Sequence, residues 1–151
     1  MRIVVPFVPA LLRPAVLHVL PKAELVDVSD SPSAYHELVC QLWRDGKAFL
    51  LVEHDVVVNP RALRQALYCH CGWGVSPYAG PGGKVLTTSL GCTRFSTRYI
   101  SEHPTAAEDA ARVENDGLPR MDWRRLDVRL AAQLDFPHIH EPVRHLHAYR
   151  A

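Results

Sequence analysis

A long apolar segment in the first half of the chain constrains the fold more than any other feature. Residues 48–52 and 56–58 are all apolar, and turn-forming residues flank them, with Gly46 before the segment and Pro60 after it. A continuous apolar segment with such boundaries is typical of a strand that is buried on both faces of a sheet. The sequence therefore predicts an α/β protein whose central strand lies within this segment.

Three ionisable residues, Glu53, His54 and Asp55, interrupt the apolar segment. Ionisable side chains in such a place are costly unless they are paired or bind a metal. Open α/β sheets bind their ligands at the carboxyl ends of the strands, which is where these three residues fall. Because carboxylate oxygens suit hard divalent cations that carry phosphates, we predict a metal–diphosphate site here. The alternative is a strand that ends in solvent, where charged residues are harmless.

The remainder of the chain alternates between predicted strands and helices. Strands are predicted over residues 3–8, 23–28 and 85–90, and residues 93–96 are predicted to start a turn or a helix. A capping residue followed by Pro, or by Glu three positions later, is the usual signature of a helix start. On such signals, together with a capping Asp before a last long helix, helices are predicted to start at Ser31, Asn59, Thr105 and Asp122.

Residues 72–84 are predicted to form a loop because five glycines fall within them. The same stretch contains Trp73 and Tyr78. Aromatic side chains on a glycine-rich loop suit stacking against a sugar or a base. The alternative is that Trp73 folds back onto the core.

Composition narrows the class of protein. The 151 residues are 48% hydrophobic and 22% charged, which is typical of a globular protein and large enough for one domain with a real core. A net charge of +1 does not favour a nucleic-acid binder. No apolar run approaches the roughly 20 residues that a membrane span needs, and the first residues lack the layout of a signal peptide. We therefore expect a cytoplasmic protein.

The four cysteines do not make a disulfide framework at this length, and we expect reduced thiols. Cys69, His70 and Cys71 form a tight cluster that could hold zinc together with a distant pair of histidines. Structural zinc sites usually have two residues between their cysteines, whereas one residue separates these. The spacing therefore argues against a structural zinc site.

Four of the nine histidines fall near the end of the chain, at positions 138, 140, 145 and 147. Residues two apart on a strand face the same side, so His138 with His140, or His145 with His147, could point at one ion. Imidazole suits manganese, zinc or iron. A mixed oxygen–nitrogen site of Asp55 and one of these histidines is compatible with Mn²⁺ or Mg²⁺. The alternative is an exposed histidine-rich terminus without a role.

The order of these elements resembles the GT-A fold of nucleotide-sugar-dependent glycosyltransferases, in a minimal, family-2-like form of the kind found in phage and bacterial genomes. The resemblance implies one Rossmann-like domain over residues 1–151, with a mixed, mostly parallel sheet flanked by helices. In this family an opening strand and the acidic end of a second strand contact the nucleoside. A metal-binding acidic triplet, the DxD motif, follows a central strand, and a late histidine completes the metal shell.

The resemblance also implies roles for individual residues. Glu53, His54 and Asp55 stand at the DxD position, with Asp55 as the metal-binding acid. Asp122 resembles the acidic helix start that supplies a base, and Asp127 competes with it for that role. His145 resembles the closing metal ligand, with His147 as the neighbouring alternative. Pro6, Phe7, Asp27 and Ser29 fall where the family contacts the nucleoside. Beyond the resemblance, Trp73 could form a wall of the sugar site, and Arg94 could donate to the sugar or a phosphate. The alternative for Arg94 is a solvated surface arginine.

The function implied is transfer of a sugar from a UDP- or GDP-sugar to an unknown acceptor, with Mn²⁺ more favoured than Mg²⁺ as the cofactor. Because the chain is shorter than most GT-A enzymes, a homo-oligomer that completes the acceptor site is an open alternative. A nucleotide-binding module without catalysis is a second reading. A metal-dependent phosphodiester hydrolase is a third, and the near-neutral charge argues against it.

Overall fold

A computed structural model describes residues 1–79, 84–113 and 117–146. The strands are β1 Arg2–Phe7, β2 Glu24–Asp27, β3 Phe49–Val52, β4 Val56–Val57, β5 Trp73–Val75, β6 Tyr78–Ala79, β7 Val85–Leu86, β8 Cys92–Phe95, β9 His138–Ile139 and β10 Arg144–His145. The helices are α1 Pro14–Val19, α2 Ala34–Arg44, α3 Pro60–Tyr68, α4 Thr97–Glu102, α5 Ala106–Ala111 and α6 Leu126–Ala131, and a 3-10 helix, Trp123–Arg125, leads into α6.

The main sheet has six described strands in the order β2-β1-β3-β8-β5-β9. The pairs β1–β2, β1–β3 and β5–β9 are parallel, whereas β8 is antiparallel to both β3 and β5. This confirms the predicted fold class, a mixed and mostly parallel sheet flanked by helices. Two further pairs, β4–β10 and β6–β7, are antiparallel and lie outside the main sheet.

Strand β3 explains why the apolar segment is continuous. Phe49 and Leu51 belong to a core cluster that includes residues of α2, α5 and α6, whereas Leu50 and Val52 belong to a second cluster with residues of α1 and α3. All four side chains are fully buried. Because successive side chains of a strand point to opposite faces, a strand covered on both faces needs an apolar residue at every position.

The predicted helix start at Asn59 is confirmed. Its side chain accepts hydrogen bonds from the backbone N–H groups of Arg61 (3.0 Å) and Ala62 (2.9 Å), and Pro60 occupies the first helical position. The start predicted with Ser31 as the cap is wrong by two residues, since Ser33 is the N-cap and α2 begins at Ala34. The carbonyl of Pro32 instead accepts a hydrogen bond from the backbone of Trp123 (3.1 Å), which ties this turn to the 3-10 helix.

Three other local predictions are corrected by the structure. Residues 92–95 form strand β8 rather than a turn or helix, because they pair with β3 and β5. The strand predicted over residues 85–90 is limited to Val85–Leu86, and the predicted loop of residues 72–84 contains β5 and β6. The last helix is short, with a 3-10 turn before α6, although Asp122 caps it as predicted by accepting from the N–H of Arg124.

No helix in the described ranges has both the length and the apolar character to cross a bilayer.

Candidate functional site

A cavity of about 820 Å³ opens at the carboxyl ends of β1, β2 and β3. The ends of these strands form one wall, and α6, the 3-10 helix and β10 contribute to the rest. Ligands of open α/β sheets bind at this edge. The residues that line the cavity include Pro6, Ser29, Asp30, Tyr35, Glu53, His54, Asp55, Tyr78, Trp123, Arg124, Asp127 and His145.

Glu53, Asp55 and His145 converge at the floor of this cavity. One ligand atom from each of the three lies within 4.8 Å of the other two. Nε2 of His145 is 3.3 Å from Oδ2 of Asp55, and both side chains are more than nine-tenths buried. Antiparallel pairing of β10 with β4 places His145 opposite Val56, and the N–H of Leu146 donates to the carbonyl of Asp55 (2.7 Å). The backbone therefore fixes the meeting of these side chains.

The ring of Tyr78 covers the imidazole of His145. The two rings are stacked, with centroids 4.7 Å apart and planes 13° from parallel. Gly91 makes room for Tyr78, since a Cβ at position 91 would collide with the tyrosine ring. Tyr78 thus restricts the orientation of the His145 ring.

The charges at this site favour a bound cation. Burial, followed by repulsion from Asp55, raises the pKa of Glu53 to about 7. Burial also raises the pKa of Asp127. A raised carboxyl pKa means that the ionised form is poorly compensated, and a positive charge placed between the carboxylates would relieve this.

The donor set has two carboxylates and one imidazole. Carboxylate oxygens suit Mg²⁺ and Mn²⁺, and the imidazole shifts the preference toward the transition metal. Glu53, Asp55 and His145 could therefore hold Mn²⁺. His147, which was also predicted as a ligand, lies outside the described residues.

The structure brings seven of the predicted site residues to the cavity, namely Pro6, Ser29, Glu53, His54, Asp55, Asp127 and His145. Of the other predicted residues that the structure describes, five do not line it: Phe7, Asp27, Trp73, Arg94 and Asp122. The reasons differ from one residue to the next.

Trp73 is a core residue, which corrects its interpretation as a wall of the sugar site. Its side chain is 4% exposed, its ring stacks on Phe95 at 5.9 Å, and its Nε1 donates to Oγ1 of Thr93 (3.1 Å). Arg94 is 6% exposed and points away from the cavity, where its guanidinium donates to the carbonyl of Cys69. Neither side chain is placed to contact a ligand in the cavity.

Asp122 is engaged by its neighbour rather than by the cavity. Oδ1 and Oδ2 accept from the Arg124 guanidinium at 2.9 and 2.7 Å, and these hydrogen bonds lower the pKa of Asp122 to about 2. A carboxylate held in this way is a weak base. Of the two acids predicted to compete for the catalytic role, Asp127 is the one that lines the cavity.

Phe7 and Asp27 lie beside the cavity without lining it. Phe7 follows Pro6 on β1, so its side chain points to the opposite face of the sheet. Asp27 accepts a hydrogen bond from the N–H of Ser29 (2.9 Å) and so orients the turn that carries Ser29 to the cavity. Asp27 thus positions Ser29, which lines the cavity, and does not line the cavity itself.

Sequence reasoning missed Tyr35 and Arg124. Tyr35 stands in the first turn of α2 and lies close enough to Glu53 to affect its pKa. Its position fits a core aromatic equally well, so no local pattern singled it out. Arg124 follows the predicted Asp122 by two residues, and that proximity to a capping acid was the available signal.

Solved structures that are similar to this one include two that cover most of this chain. One is A197 from STIV, with a TM-score of 0.58 and 10% sequence identity, covering 95% of this chain and 83% of that chain. The other is a glycosyltransferase involved in the glycosylation of the major capsid of PBCV-1, with a TM-score of 0.52 and 9% identity, covering 93% of this chain and 82% of that chain. At these identities the similarity shows a glycosyltransferase-like fold. No protein-family model and no curated protein matches the sequence.

Proposed function

We propose that this protein is a metal-dependent glycosyltransferase that moves a sugar from a nucleoside-diphosphate sugar to an acceptor. One observation carries the proposal. Two carboxylates and a histidine meet at the carboxyl end of the central strand, in a cavity of a protein with a glycosyltransferase-like fold. The cavity volume of about 820 Å³ falls within the range of sites that bind a ligand of this size.

Asp55 and His145 are the proposed ligands of a divalent cation, with Glu53 as a third donor or as the partner of a bound water. Bound there, the cation would offset the charge that develops on the leaving nucleoside diphosphate. The protein contributes rigidity, because the backbone pairing of β10 with β4 and the ring of Tyr78 fix His145 before any ligand arrives. Fixed ligands reduce the cost of ordering the site on binding.

The nucleoside is proposed to lie over the ends of β1 and β2. Pro6 offers an apolar surface, and Ser29 and Asp30 offer exposed polar groups at the same edge of the cavity. His54 lies between the two acids of the triplet in sequence and also lines the cavity, within reach of a phosphate or ribose group. In this proposal, this part of the cavity selects between the uracil base of a UDP-sugar and the guanine base of a GDP-sugar.

Asp127 is the proposed base that accepts the proton of the acceptor hydroxyl, if the reaction inverts configuration. It stands in the first turn of α6, it is partly buried, and burial raises its pKa. A raised pKa makes the carboxylate a better proton acceptor near neutral pH.

Thermal stability measured with Mn²⁺ and a panel of nucleoside diphosphates and nucleotide sugars tests the proposal. Saturating ligand should raise the melting temperature by about 5–10 °C, and only when metal and the correct nucleotide are both present. Asp55→Asn should abolish this shift. Asp135→Asn, a change of the same type at a carboxylate that is 82% exposed and pairs with His103, should preserve it.

Turnover then separates an enzyme from a binding module. Release of the nucleoside diphosphate from the stabilising donor, even by slow hydrolysis without acceptor, supports catalysis. Stabilisation without turnover on any donor would leave the nucleotide-binding module as the function. No shift with any nucleotide would overturn both readings.

A further inference from the structure

A second cluster of metal-binding side chains lies at the far edge of the sheet. One ligand atom each from Cys69, His138 and His140 lies within 4.8 Å of the other two. Cys71 adds a second thiol, since its Sγ is 3.4 Å from Nε2 of His140. This cluster shares no residue with the Glu53, Asp55 and His145 group. The cluster combines Cys69 and Cys71 with two of the four late histidines, which are far from these cysteines in the sequence.

Backbone structure brings these side chains together. Cys69 directly follows α3 as its C-cap, and its extended backbone leads the chain toward β5. Strand β9 pairs in parallel with β5, with His138 opposite Gly74, and the N–H of His140 donates to the carbonyl of Val75 (2.8 Å). The two cysteines, from the middle of the chain, and the two late histidines therefore meet at one edge of the sheet.

Gly74 supplies the space in which they meet. A Cβ at this position would overlap the imidazole of His140 and would lie 2.8 Å from Sγ of Cys71. A side chain at position 74 would thus push the His140 imidazole and the Cys71 thiol apart. Absence of a side chain on β5 at this point is a requirement of the cluster.

Arg94 adds a positive charge beside the thiols. Its guanidinium donates to the carbonyl of Cys69 and lies 3.8 Å from Sγ of Cys71. The Arg94 guanidinium thus places a positive charge next to Sγ of Cys71. This contact places the buried Arg94, which does not line the cavity, beside the second cluster.

We propose that Cys69, Cys71, His138 and His140 bind one zinc ion. Two thiolates and two imidazoles are a donor set of structural zinc, and its four ligands stand at the corners of a tetrahedron. Bond lengths of about 2.3 Å to sulfur and about 2.0 Å to nitrogen place neighbouring ligand atoms roughly 3.3–3.8 Å apart. The Cys71–His140 distance of 3.4 Å already falls in this range. Each cysteine loses its thiol proton to solvent on binding.

The proposal revises the expectation drawn from cysteine spacing. A single intervening residue disfavoured zinc on sequence alone. In the structure His70, the intervening residue, is exposed. Cys69 lies next to both histidines, and Cys71 lies next to His140. The fold thus brings the four proposed ligands together although the two cysteines lack the usual two-residue spacing.

The zinc would fasten the C-terminal segment to the body of the protein. Strand β9 is two residues long and lies at the edge of the sheet, where it pairs with β5 alone among the described strands. The same segment continues into β10 and carries His145. Resting on the proposed function, this implies that the zinc site holds one ligand of the catalytic metal in place from a distance.

Metal content of the full-length, untagged protein is the first test, because the proposal concerns zinc binding alone. After dialysis against buffer with trace zinc, elemental analysis should give about one zinc per chain, and a strong chelator should lower the melting temperature. Substitution with Co²⁺ should give the visible and near-ultraviolet bands of a tetrahedral site with thiolate ligands. A Co²⁺ spectrum without thiolate bands, or no retained zinc, would overturn the proposal.

Variants locate the ion. His138→Ala and Cys69→Ser should weaken zinc binding by more than about 100-fold. Because His138 is exposed, its replacement leaves the core intact and the loss can be attributed to the ligand. His70→Ala, an exposed histidine in the same turn, is the matched control and should bind zinc normally.

Asp55→Asn separates this site from the candidate active site. It should retain one zinc per chain and lose only the stabilisation by nucleotide with Mn²⁺. Loss of zinc in Asp55→Asn, together with normal zinc in His138→Ala, would place the ion in the cavity and overturn the proposal. A failed nucleotide assay with zinc present would sink the proposed function and leave this site standing.

Discussion

Nε2 of His145 lies 3.3 Å from Oδ2 of Asp55, inside the protein, although the two residues are far apart in sequence. The contact exists because β10 pairs with β4, directly after the acidic triplet. A site of this kind depends on the residues that hold the histidine as well as on the ligands themselves. That dependence can be measured at Tyr78.

Tyr78→Ala removes the ring that stacks on His145. An aromatic pair contributes about 0.5–1.5 kcal/mol beyond its buried area, so the Mn²⁺ affinity in the presence of nucleotide should fall about 2- to 10-fold. Isothermal titration with Mn²⁺ at saturating nucleoside diphosphate measures the change. Tyr78→Phe keeps the ring and should bind as the wild type does. An equal loss in both variants would show that the hydroxyl, rather than the stacked ring, matters.

Asp127→Asn tests the choice between the two acids. If Asp127 accepts the acceptor proton, kcat should fall about 10²- to 10⁴-fold while the affinity for nucleotide and metal stays the same. Asp122→Asn should change kcat by less than about tenfold, because the Asp122 carboxylate is paired with Arg124 and does not line the cavity. Steady-state kinetics with a natural or surrogate acceptor measures both. A larger effect at Asp122 would return the catalytic role to it.

Asp122 also predicts a pH dependence of stability. Its pKa is lowered to about 2 from a usual value of 3.8, so its contribution is present above pH 3.8 and is lost as the pH falls through about 2. Asn caps a helix about as well as Asp, so Asp122→Asn removes mainly the charge. Urea denaturation should find the variant less stable than the wild type near neutral pH.

That stability difference should shrink as the pH falls from about 4 to about 2, because the wild-type carboxylate becomes protonated in the folded state too. A difference that stays constant over this range would mean that the Arg124 ion pair contributes nothing and that shape alone explains the loss.

The sequence was informative where one segment determines its own structure. The triplet Glu53, His54 and Asp55 stands where the apolar pattern of β3 ends, and a strand buried on both faces explains that pattern without knowledge of the rest of the chain. The cap at Asn59 is equally local, because its side chain bonds to the N–H groups of the next residues.

Prediction failed where pairing partners are distant. Residues 92–95 contain Thr93 and Arg94, and only their position between β3 and β5 makes them a strand. Cys69 and His138 lie far apart in sequence, and the parallel pairing of β9 with β5 brings them together. Asp122 and Asp127 looked equivalent until the fold turned one of them toward the cavity.

Trp73 provides a test of whether this residue belongs to the core or to the sugar-binding site. Its ring packs on Phe95 in the core and its Nε1 donates to Thr93, a buried hydroxyl that also donates to the carbonyl of Gly74. Trp73→Phe keeps an aromatic ring but loses that hydrogen bond and some packing, so the free energy of unfolding should fall by about 1–3 kcal/mol.

Nucleotide-sugar affinity of Trp73→Phe should equal that of the wild type, because the residue does not reach the cavity. Urea denaturation and titration of the stabilising donor measure the two quantities on the same preparation. Tyr78→Ala is the matched contrast, since Tyr78 does line the cavity and its loss should weaken donor binding. A Trp73→Phe variant of normal stability that binds donor poorly would restore Trp73 to the sugar site and contradict the placement of β5 in the core.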